Sequence, residues 1–414
     1  MIPDSFDVLV VGAGPAGLMA AIAAARAGRR VGLCEQMPRA GMKLLSTGGG
    51  RCNLTNTAEP ESFMAAFGRH GRFMEPALAR LGSQGLRDFM AALGVPTIAP
   101  DGFHVYPASE SAADVQHALL QESKRCGVVL LLDTKVDALR TENHTISGLE
   151  TNRGFIGAHR VVLACGGRSY PKLGATGSGY ALATQAGHTI MDPLPVLVPL
   201  DTREEWPGQC AGISLENVEA WIDAPRFRQA KLDGGLVFTH HGVSGPPILN
   251  LSRDVVPLLH RNGHVPIRIS LLPGRTPTAW LELFAGWQHD QGRRTVARLL
   301  GELLPARLAE ALTATAGADP AVCAAEFARP AREKLAELLS GCPLTITGAG
   351  DFDEAMVTRG GVSLREVDPH TLQSVITRGL FFAGEILDLD GPCGGYNLQW
   401  AFSSGWLAGN SPSP

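Results

Sequence analysis

Short apolar runs separated by glycine open the chain. Asp7 to Val11 and Arg30 to Glu35 are runs of strand length, and the alanine-rich stretch Ala16 to Ala27 lies between them. This order predicts a buried strand, a helix and a second buried strand, which together make one βαβ unit. Val8 to Ala25 has no charged side chain and approaches the length of a membrane span. Its glycines and its proline favour the strand and helix instead, because they would interrupt a single spanning helix.

The pattern between residues 42 and 164 predicts a loop, then helices, then strands. Met42 to Thr57 is a glycine-rich loop, and a helical region follows it as far as Leu93. Ser111 and Asp114 form a capping box for a helix that runs to Cys126. The predicted strands are Val128 to Leu132, Lys135 to Arg140, Thr145 to Thr151, Gly154 to Gly157 and Arg160 to Ala164.

The second half of the chain changes character twice. Asp192 to Leu272 is β-rich and punctuated by proline, whereas Thr276 to Gly341 is rich in alanine and leucine and predicts helices. Gly379 to Gly409 returns to a strand, a glycine turn and a helix. We therefore predict an α/β fold with a discontinuous main domain. Its parts are residues 1–191 and 346–414, and the insertions are a β-rich subdomain at 192–274 and a helical subdomain at 275–345.

Composition and charge narrow the classes of partner. With 45% hydrophobic and 18% charged residues among 414, the chain is globular in composition. Its net charge of -4 provides no overall positive field for nucleic acid or an anionic membrane. A local group of arginines leaves RNA open as an alternative partner, although such spacing also occurs on solvated helix faces. These arginines are Arg69, Arg72, Arg80 and Arg87.

The cysteines and the N-terminus bear on the compartment and on metal binding. The eight cysteines form no Cys-x-x-Cys pair and no cluster with histidine at zinc spacing. We therefore expect free thiols in a reducing cytosol and no metal site. No basic segment precedes the first apolar run, which argues against a signal peptide and predicts a cytoplasmic protein without a membrane partner. The oligomeric state is open.

The sequence VLVVGAGPAG (residues 8–17) has the spacing of a dinucleotide-binding fingerprint. Gly12 allows a tight turn, Gly14 lets the backbone approach a pyrophosphate, and Gly17 lets the helix pack on the strand. The helix N-terminus stabilises phosphate charge. Glu35 ends the second strand, where it can accept hydrogen bonds from ribose hydroxyls. Strand, glycines, helix and terminal acid together indicate a dinucleotide site rather than a simple packing turn.

The far end of the chain indicates which dinucleotide. GLFFAGEILDLDGPCGGYNLQWAFSSGWLAG (residues 379–409) predicts a strand that ends at Gly384 and Glu385, a glycine-rich turn, and a helix that begins near Gly395. In flavoproteins such a segment places an acid near the ribityl phosphate and directs a helix N-terminus at the flavin pyrimidine. An enzyme that binds only NAD does not need it, so we predict FAD.

Five motifs resemble those of the BaiN-like (YhiN-type) flavoproteins. They are LSTGGGRCNLTN (45–56), DGFHVYPASESAADV (101–115), ACGGRSYPKLGATGSGYALATQAGH (164–188), LVFTHHGVSGPPILNLS (236–252) and the C-terminal block. The family contains NAD(P)/FAD-dependent or aminoacetone-oxidase-family oxidoreductases of the glutathione-reductase-like two-dinucleotide-binding type. The resemblance implies a Rossmann-like FAD-binding domain interrupted by a β-barrel-like and a helical subdomain.

The resemblance also implies a set of cofactor contacts. They are Gly12, Gly14, Pro15, Ala16, Gly17, Glu35, Gln36, Lys43, Gly50, Arg51, Cys52, Asn53, Val136, Ala164, Cys165, Gly166, Gly384, Glu385, Gly395, Tyr396, Asn397 and Leu398. Two positions depart from the family pattern. Ser178 stands where an acid is expected, which puts a contact from this residue in doubt, and Cys165 replaces a commoner threonine.

Two further motifs exclude related mechanisms. Disulfide reductases carry a second cysteine in the loop after the βαβ unit, but Thr57 occupies that position relative to Cys52. We therefore expect a packed thiol at Cys52. TITGAGDFDEA (345–355) resembles a second nucleotide-binding turn, but Asp353 replaces the third glycine and no alanine-rich helix follows. If NADH or NADPH reduces the flavin, it must dock without a fold of its own.

We predict an FAD-dependent oxidoreductase that exchanges a hydride with a small organic substrate, by reduction of an activated double bond or by amine oxidation. Candidate acid–base residues are His104, Tyr170, His240 and His241, of which we select Tyr170 and His240 from motif position. One alternative keeps the chemistry and takes a uridine base in RNA to dihydrouridine. Another is a non-catalytic flavin redox sensor.

Overall fold

The computed structural model describes residues 5–412 and divides the chain into two compact units. The first unit contains residues up to 195 and from 355 onward, and the second contains residues 196–354. The four sequence segments place their boundaries a few residues away from these, and they stay a prediction. Their outer ends, residues 1–4 and 413–414, lie outside the described residues.

The first unit is built around a five-stranded parallel sheet. Its strands are, in spatial order, Leu380–Phe382, Val161–Leu163, Val8–Val11, Val31–Cys34 and Val129–Leu131. Leu9, Val10 and Leu33 are fully buried, as expected for a parallel sheet covered on both faces. The C-terminal strand pairs directly with Val161–Leu163, so the last segment of the chain completes the sheet that the first segment begins.

The first helix, Pro15–Arg26, and the C-terminal helix, Tyr396–Asn410, pack at close range. A Cβ on Gly405 would collide with the backbone of Ala16, and one on Gly409 with that of Ala20. Small residues on both helices therefore allow the two backbones to approach. This contact fixes the N-terminus of one nucleotide-binding helix relative to the other.

Smaller elements complete the first unit. A four-stranded sheet contains Ser5–Phe6, Gly154–Ala158, Thr145–Thr151 and Val136–Glu142, and a three-stranded sheet contains Thr55–Asn56, His104–Pro107 and Thr97–Ile98. Ile190–Val196 pairs with Val357–Val362. The remaining helices are Met42–Leu45, Pro60–Ala65, Glu75–Arg80, Ser83–Ala92, Ala112–Arg125 and Ser178–Gln185, with 3₁₀ turns at Thr47–Gly50, Gly68–Met74, Pro171–Leu173, Leu364–Glu366 and Gly384–Ile386.

The second unit is a closed six-stranded barrel with helices. Its strands, in order around the barrel, are Leu200–Thr202, Gly242–Ser244, Leu232–Phe238, Ser214–Ile222, Val265–Ser270 and Cys342–Ala349. Its helices are Trp206–Gln209, Pro246–Asn262, Pro277–Asp290, Val296–Leu300, Ala306–Thr315 and Arg329–Gly341, with a 3₁₀ turn at Ala324–Glu326. Trp280 and Phe284 from the helices share one core with Ile267 and Leu344 from the barrel.

Most predicted elements are confirmed, and one segment differs. Ser111 caps Ala112–Arg125 through a bond from the backbone N–H of Asp114 to its hydroxyl, as the capping box predicts. The segment predicted to be β-rich also contains the 17-residue helix Pro246–Asn262. Its prolines argue against a helix when the sequence is read alone. Its first two residues are proline, a position that suits the start of a helix.

The structure also shows the state of the cysteines and the character of the helices. All eight cysteines are free thiols. No helix within residues 5–412 is long and apolar enough to cross a membrane. In this part of the chain, no cluster of His, Cys, Asp and Glu has the composition of a metal site.

Candidate functional site

Glycines shape the turn between the first strand and the first helix. Gly12 has a φ of +96°, and a Cβ there would lie 2.6 Å from the carbonyl oxygen of Ala164. A Cβ on Gly17 would collide with the carbonyl oxygen of Gly12. A Cβ on Gly14 would meet no atom of residues 5–412 within 4 Å. The fold therefore requires Gly12 and Gly17, whereas the space beside Gly14 is open to a ligand.

The first helix presents a bare N-terminus at this turn. It begins at Pro15, and among the described residues no side chain caps it and no acid lies in its first turn. The carboxylate of Glu35 accepts hydrogen bonds from the backbone N–H groups of Ala13 at 2.7 Å and Met37 at 2.9 Å. A free helix N-terminus suits phosphate, and a fixed carboxylate beside it suits ribose hydroxyls.

A polar cluster joins four segments of the first unit. The ammonium of Lys43 donates to the Ser169 hydroxyl at 2.6 Å and to the Glu385 carboxylate at 2.7 Å. The other oxygen of Glu385 accepts from the Ser169 hydroxyl and from the backbone N–H of Thr358, each at 2.8 Å. The side chains of Lys43 and Glu385 are about one-fifth exposed. The cluster therefore fixes a carboxylate and an ammonium at the end of the C-terminal strand.

The glycine-rich loop 45–56 and the turn 391–395 are bonded to each other. The amide of Asn56 is buried and donates to the carbonyl oxygen of Gly394 at 2.8 Å. With its amide oriented by its surroundings, Asn53 accepts from the backbone N–H of Gly395 at 3.1 Å. Asn397 holds the turn from the other side, with two bonds to the backbone of Gly391 at 2.8 and 2.9 Å. Asn53 and Asn397 therefore position backbone around the second bare helix N-terminus, at Tyr396.

Aromatic side chains surround the start of the C-terminal helix. The ring centroid of Tyr396 lies 4.7 Å from that of Phe63, 6.1 Å from that of Phe67 and 6.5 Å from that of Phe103. We call these four residues the aromatic cluster. Burial raises the pKa of the Tyr396 hydroxyl above its ordinary value.

Several predicted cofactor residues have other partners. The amide of Gln36 donates to the carbonyl oxygen of Gly174 at 2.7 Å. Arg51 is exposed, lies over the ring of Tyr106 at 4.7 Å and pairs with Glu110 at 3.6 Å. The polar ends of the two side chains therefore contact protein groups in this structure.

The two cysteines in the predicted set are poor nucleophiles. Cys52 is fully buried, and burial raises the pKa of its thiol to about 12, against a weaker lowering by Thr47. Burial likewise raises the pKa of Cys165 to about 12. A packed, unreactive thiol at Cys52 agrees with the sequence interpretation.

The rest of the predicted set lies in the same unit. Gly50, Gly166 and Gly384 have positive φ, and Ala16, Val136 and Ala164 are buried. Leu398 packs against the core, and Ser178 is the first residue of the helix Ser178–Gln185.

The two selected acid–base candidates lie in different units. Tyr170 belongs to the first unit, where it has a φ of +57° and a pKa raised by burial. His240 belongs to the barrel unit, next to Gly242–Ser244. Their catalytic roles stay predictions. Ser169, Thr358 and Asn56 complete the site. Asn56 and Ser169 lie within the quoted motifs, but the motifs do not single them out, and their roles follow only from bonds to distant partners.

The donor set of the first unit fits FAD. It offers the open space at Gly14, two uncapped helix N-termini, the fixed carboxylates of Glu35 and Glu385, and the ammonium of Lys43. These are the groups that a pyrophosphate, two polyol segments and a flavin ring require.

Comparison with known proteins identifies the family of the chain. The family described as "HI0933-like protein Rossmann domain" matches residues 6–411. The chain is 34% identical over 406 residues to the 3-dehydro-bile acid delta(4,6)-reductase of Clostridium scindens, which covers 97% of this chain and 98% of that protein. It is 31% identical over 408 residues to the ribosomal RNA dihydrouridine synthase of Escherichia coli, with 97% of each chain covered.

A solved structure shares the fold at low identity. The 3-ketosteroid delta1-dehydrogenase of Sterolibacterium denitrificans superimposes with a TM-score of 0.55, 14% identity and 99% of each chain covered. The family match and the relatives confirm the resemblance found in the sequence motifs. The chain therefore belongs to the HI0933-like (BaiN/YhiN-type) family and is an FAD-dependent oxidoreductase.

Proposed function

We propose that this enzyme reduces a carbon–carbon double bond conjugated to a carbonyl group in a small organic molecule. The observation that carries the proposal is the aromatic cluster at the start of the C-terminal helix. Phe63 and Phe67 are buried and back the half-buried rings of Tyr396 and Phe103, which offer an apolar wall to a flat substrate at the segment predicted to hold the flavin ring. Such a wall excludes water, which protects a reduced cofactor from side reactions.

The names of both relatives support the reaction type. A delta(4,6)-reductase and a dihydrouridine synthase each add hydrogen across a carbon–carbon double bond. When bound, FAD supplies the hydride for such a reaction. The chain supplies the rest: Lys43 and Glu385 orient the cofactor, and the helix N-terminus at Tyr396 stabilises negative charge.

We also propose NADH or NADPH as electron donor. The donor would dock without a second nucleotide-binding unit. The segment 345–355, which resembles such a unit in sequence, begins inside the barrel strand Cys342–Ala349. Tyr170 and His240 are proposed as substrate contacts, on motif position alone.

Anaerobic flavin spectroscopy tests the proposal. The purified protein is titrated with NADH and NADPH, and a cyclic enone or a 3-oxo-4-ene steroid is then added. We expect the flavin absorption to bleach with one nicotinamide and to return with the enone, with saturated product detected by mass spectrometry. Return only on admission of oxygen would contradict the proposal and favour an oxidase, such as an amine oxidase.

A uridine in RNA is the second candidate substrate. Arg69 and Arg72 are exposed on the 3₁₀ segment Gly68–Met74, directly after Phe67 of the aromatic cluster. Two exposed cations suit backbone phosphates, and the half-buried ring of Tyr396, which contacts the buried Phe67, suits a stacked base. The reduced enzyme is incubated with ribosomal RNA that lacks dihydrouridine. Formation of dihydrouridine that is lost in the double variant Arg69→Gln, Arg72→Gln would favour RNA over the small molecule.

A further inference from the structure

His104 lies beside the turn that precedes the C-terminal helix. It begins the strand His104–Pro107 and pairs in register with Asn56, whose amide is bonded to Gly394. The Nε2 atom of His104 lies 3.3 Å from the position that a Cβ on Gly394 would take. The absence of a side chain at Gly394 therefore opens the space in front of this nitrogen.

Asp101 fixes the state of the imidazole. Its Oδ2 atom lies 2.5 Å from Nδ1 of His104, and its Oδ1 atom accepts from the backbone N–H groups of Phe103 at 2.9 Å and His104 at 2.8 Å. The hydrogen bond from the imidazole has the largest effect on the pKa of the Asp101 carboxyl, and the bonds from the backbone N–H groups add to it. Together they hold this pKa well below its usual range. Because a carboxylate only accepts, Nδ1 carries a proton and Nε2 is the nitrogen that exchanges one.

The Nε2 atom of His104 is available for a hydrogen bond to a ligand. Among residues 5–412, no group is hydrogen-bonded to Nε2 of His104. Its ring is about one-third exposed and contacts Phe103 of the aromatic cluster edge-on, with centroids 5.0 Å apart. An oriented imidazole thus stands at the edge of the surface proposed for the substrate.

We propose that His104 donates the proton that accompanies hydride transfer and that Asp101 positions it. This inference rests on the proposed function, in which a two-electron-reduced flavin is the reductant. The π bond of the substrate breaks as hydride bonds to the carbon distal to the carbonyl. The Nε2–H bond breaks, its electron pair stays on nitrogen, and the proton bonds to the carbon next to the carbonyl. Water then reprotonates the imidazole.

Half-reaction kinetics separate this role from cofactor binding. In His104→Gln we expect wild-type FAD content and wild-type flavin reduction by nicotinamide, but at least a hundredfold slower reoxidation by the enone. Asp101→Asn should slow the same step about tenfold. His289→Gln is the matched control, because His289 has the same 2.5 Å contact with Asp290 in the other unit. It should change neither half-reaction.

The pH dependence and a spectroscopic readout complete the test. Wild-type reoxidation should slow as pH rises, because the step consumes a proton, and this dependence should vanish in His104→Gln. Asp101, Tyr106, Tyr396 and Arg51 also face this region, so the assignment depends on that loss. Nitrogen-15 NMR of His104 should show protonated Nδ1 in the wild type and mixed tautomers in Asp101→Asn.

The outcomes distinguish the two proposals. Wild-type reoxidation kinetics and pH profile in His104→Gln would overturn the role of His104 and leave the proposed function standing. Unchanged tautomers in Asp101→Asn would overturn the positioning role of Asp101. Absence of any enone-driven reoxidation in the wild type would overturn both proposals.

Discussion

The Nζ atom of Lys43 lies 2.7 Å from Oε2 of Glu385, although the two residues are 342 positions apart in the chain. The pair joins the loop after the βαβ unit to the end of the C-terminal strand. Because each side chain is about one-fifth exposed, solvent screens the pair less than an ordinary surface ion pair. Breaking this pair therefore tests whether FAD binding depends on the contact between the two segments.

Lys43→Met should weaken FAD binding about tenfold and lower thermal stability of the holoenzyme. The substitution leaves Glu385 bonded only to Ser169 and Thr358, as a partly buried carboxylate without its cation. Flavin fluorescence titration measures the dissociation constant. Lys135→Met, which removes the more exposed partner of Asp137, is the control and should leave binding unchanged. Equal effects in both variants would show that Lys43 has no special role.

Gly14→Ala should lower the affinity for FAD, whereas Gly12→Ala should lower the stability of the fold. A methyl group at Gly14 meets no atom of the described chain and the residue has a φ of -78°, so the apoprotein should keep its stability and lose FAD affinity. At Gly12 a Cβ would contact Ala164 and φ is +96°, so the fold itself should lose about 2 kcal/mol or more. Apoprotein melting and FAD titration separate the two effects. Gly286→Ala, in a helix of the barrel unit, is the control. Unaltered FAD affinity in Gly14→Ala would contradict the placement of the phosphates.

The short-range parts of this architecture follow from the sequence. The βαβ unit is local: an apolar run, three glycines and an acid suffice to identify it, and Glu35 lies where the fingerprint places it. The capping box at Ser111 is also local. A hydrogen bond between residues three or four positions apart depends only on local backbone geometry, which short sequence motifs predict.

The long-range parts do not follow from it. Glu385 can be selected as an acid after a strand, but its bonds to Ser169 and Thr358 require the fold to bring three segments together. The barrel is closed by Cys342–Ala349, a strand whose sequence resembles a failed nucleotide turn and which follows all the helices of that unit. Pairing between distant strands leaves little mark on a single sequence.

Arg160→Met should destabilise the first unit by about 3 kcal/mol. The guanidinium of Arg160 is buried and donates to the carbonyl oxygens of Ala408 at 3.3 Å, in the last turn of the C-terminal helix, and of Ser411 at 2.7 Å and Pro412 at 2.8 Å, directly after it. Its removal leaves the carbonyl oxygens of Ala408 and Pro412 without a charged donor, whereas that of Ser411 keeps a bond from Arg29 at 2.8 Å. Chemical denaturation measures the loss, and Arg140→Met, which breaks an exposed pair with Glu150, should cost less than about 1 kcal/mol. Similar losses in both variants would contradict a capping role.

Acid should remove the stabilisation that Glu122 provides. Bonds from Arg125 and then Arg26 outweigh burial and lower the pKa of Glu122 from 4.5 to about 2. A carboxyl with a lowered folded pKa stabilises the fold above pH 4.5 and loses that contribution as pH falls toward 2. Glu122→Gln should therefore be less stable by about 2 kcal/mol at pH 7 and match the wild type near pH 2. Denaturation midpoints across this range, with Glu150→Gln as control, check the convergence. A gap that persists at low pH would point to lost packing instead.

Cys52 should play no redox part, even though it lies in the loop where disulfide reductases carry a reactive cysteine. With a thiol pKa near 12 and no exposure, only about one thiol in ten thousand would be ionised at pH 8. Iodoacetamide treatment of the holoenzyme should therefore label the partly exposed Cys323 and leave Cys52 unmodified, as peptide mass spectrometry can show. Cys52→Ala should keep flavin reduction and enone-driven reoxidation within about twofold of the wild type. Labelling of Cys52 at the rate of Cys323, or loss of one half-reaction in Cys52→Ala with FAD still bound, would assign the thiol a chemical role that its burial argues against.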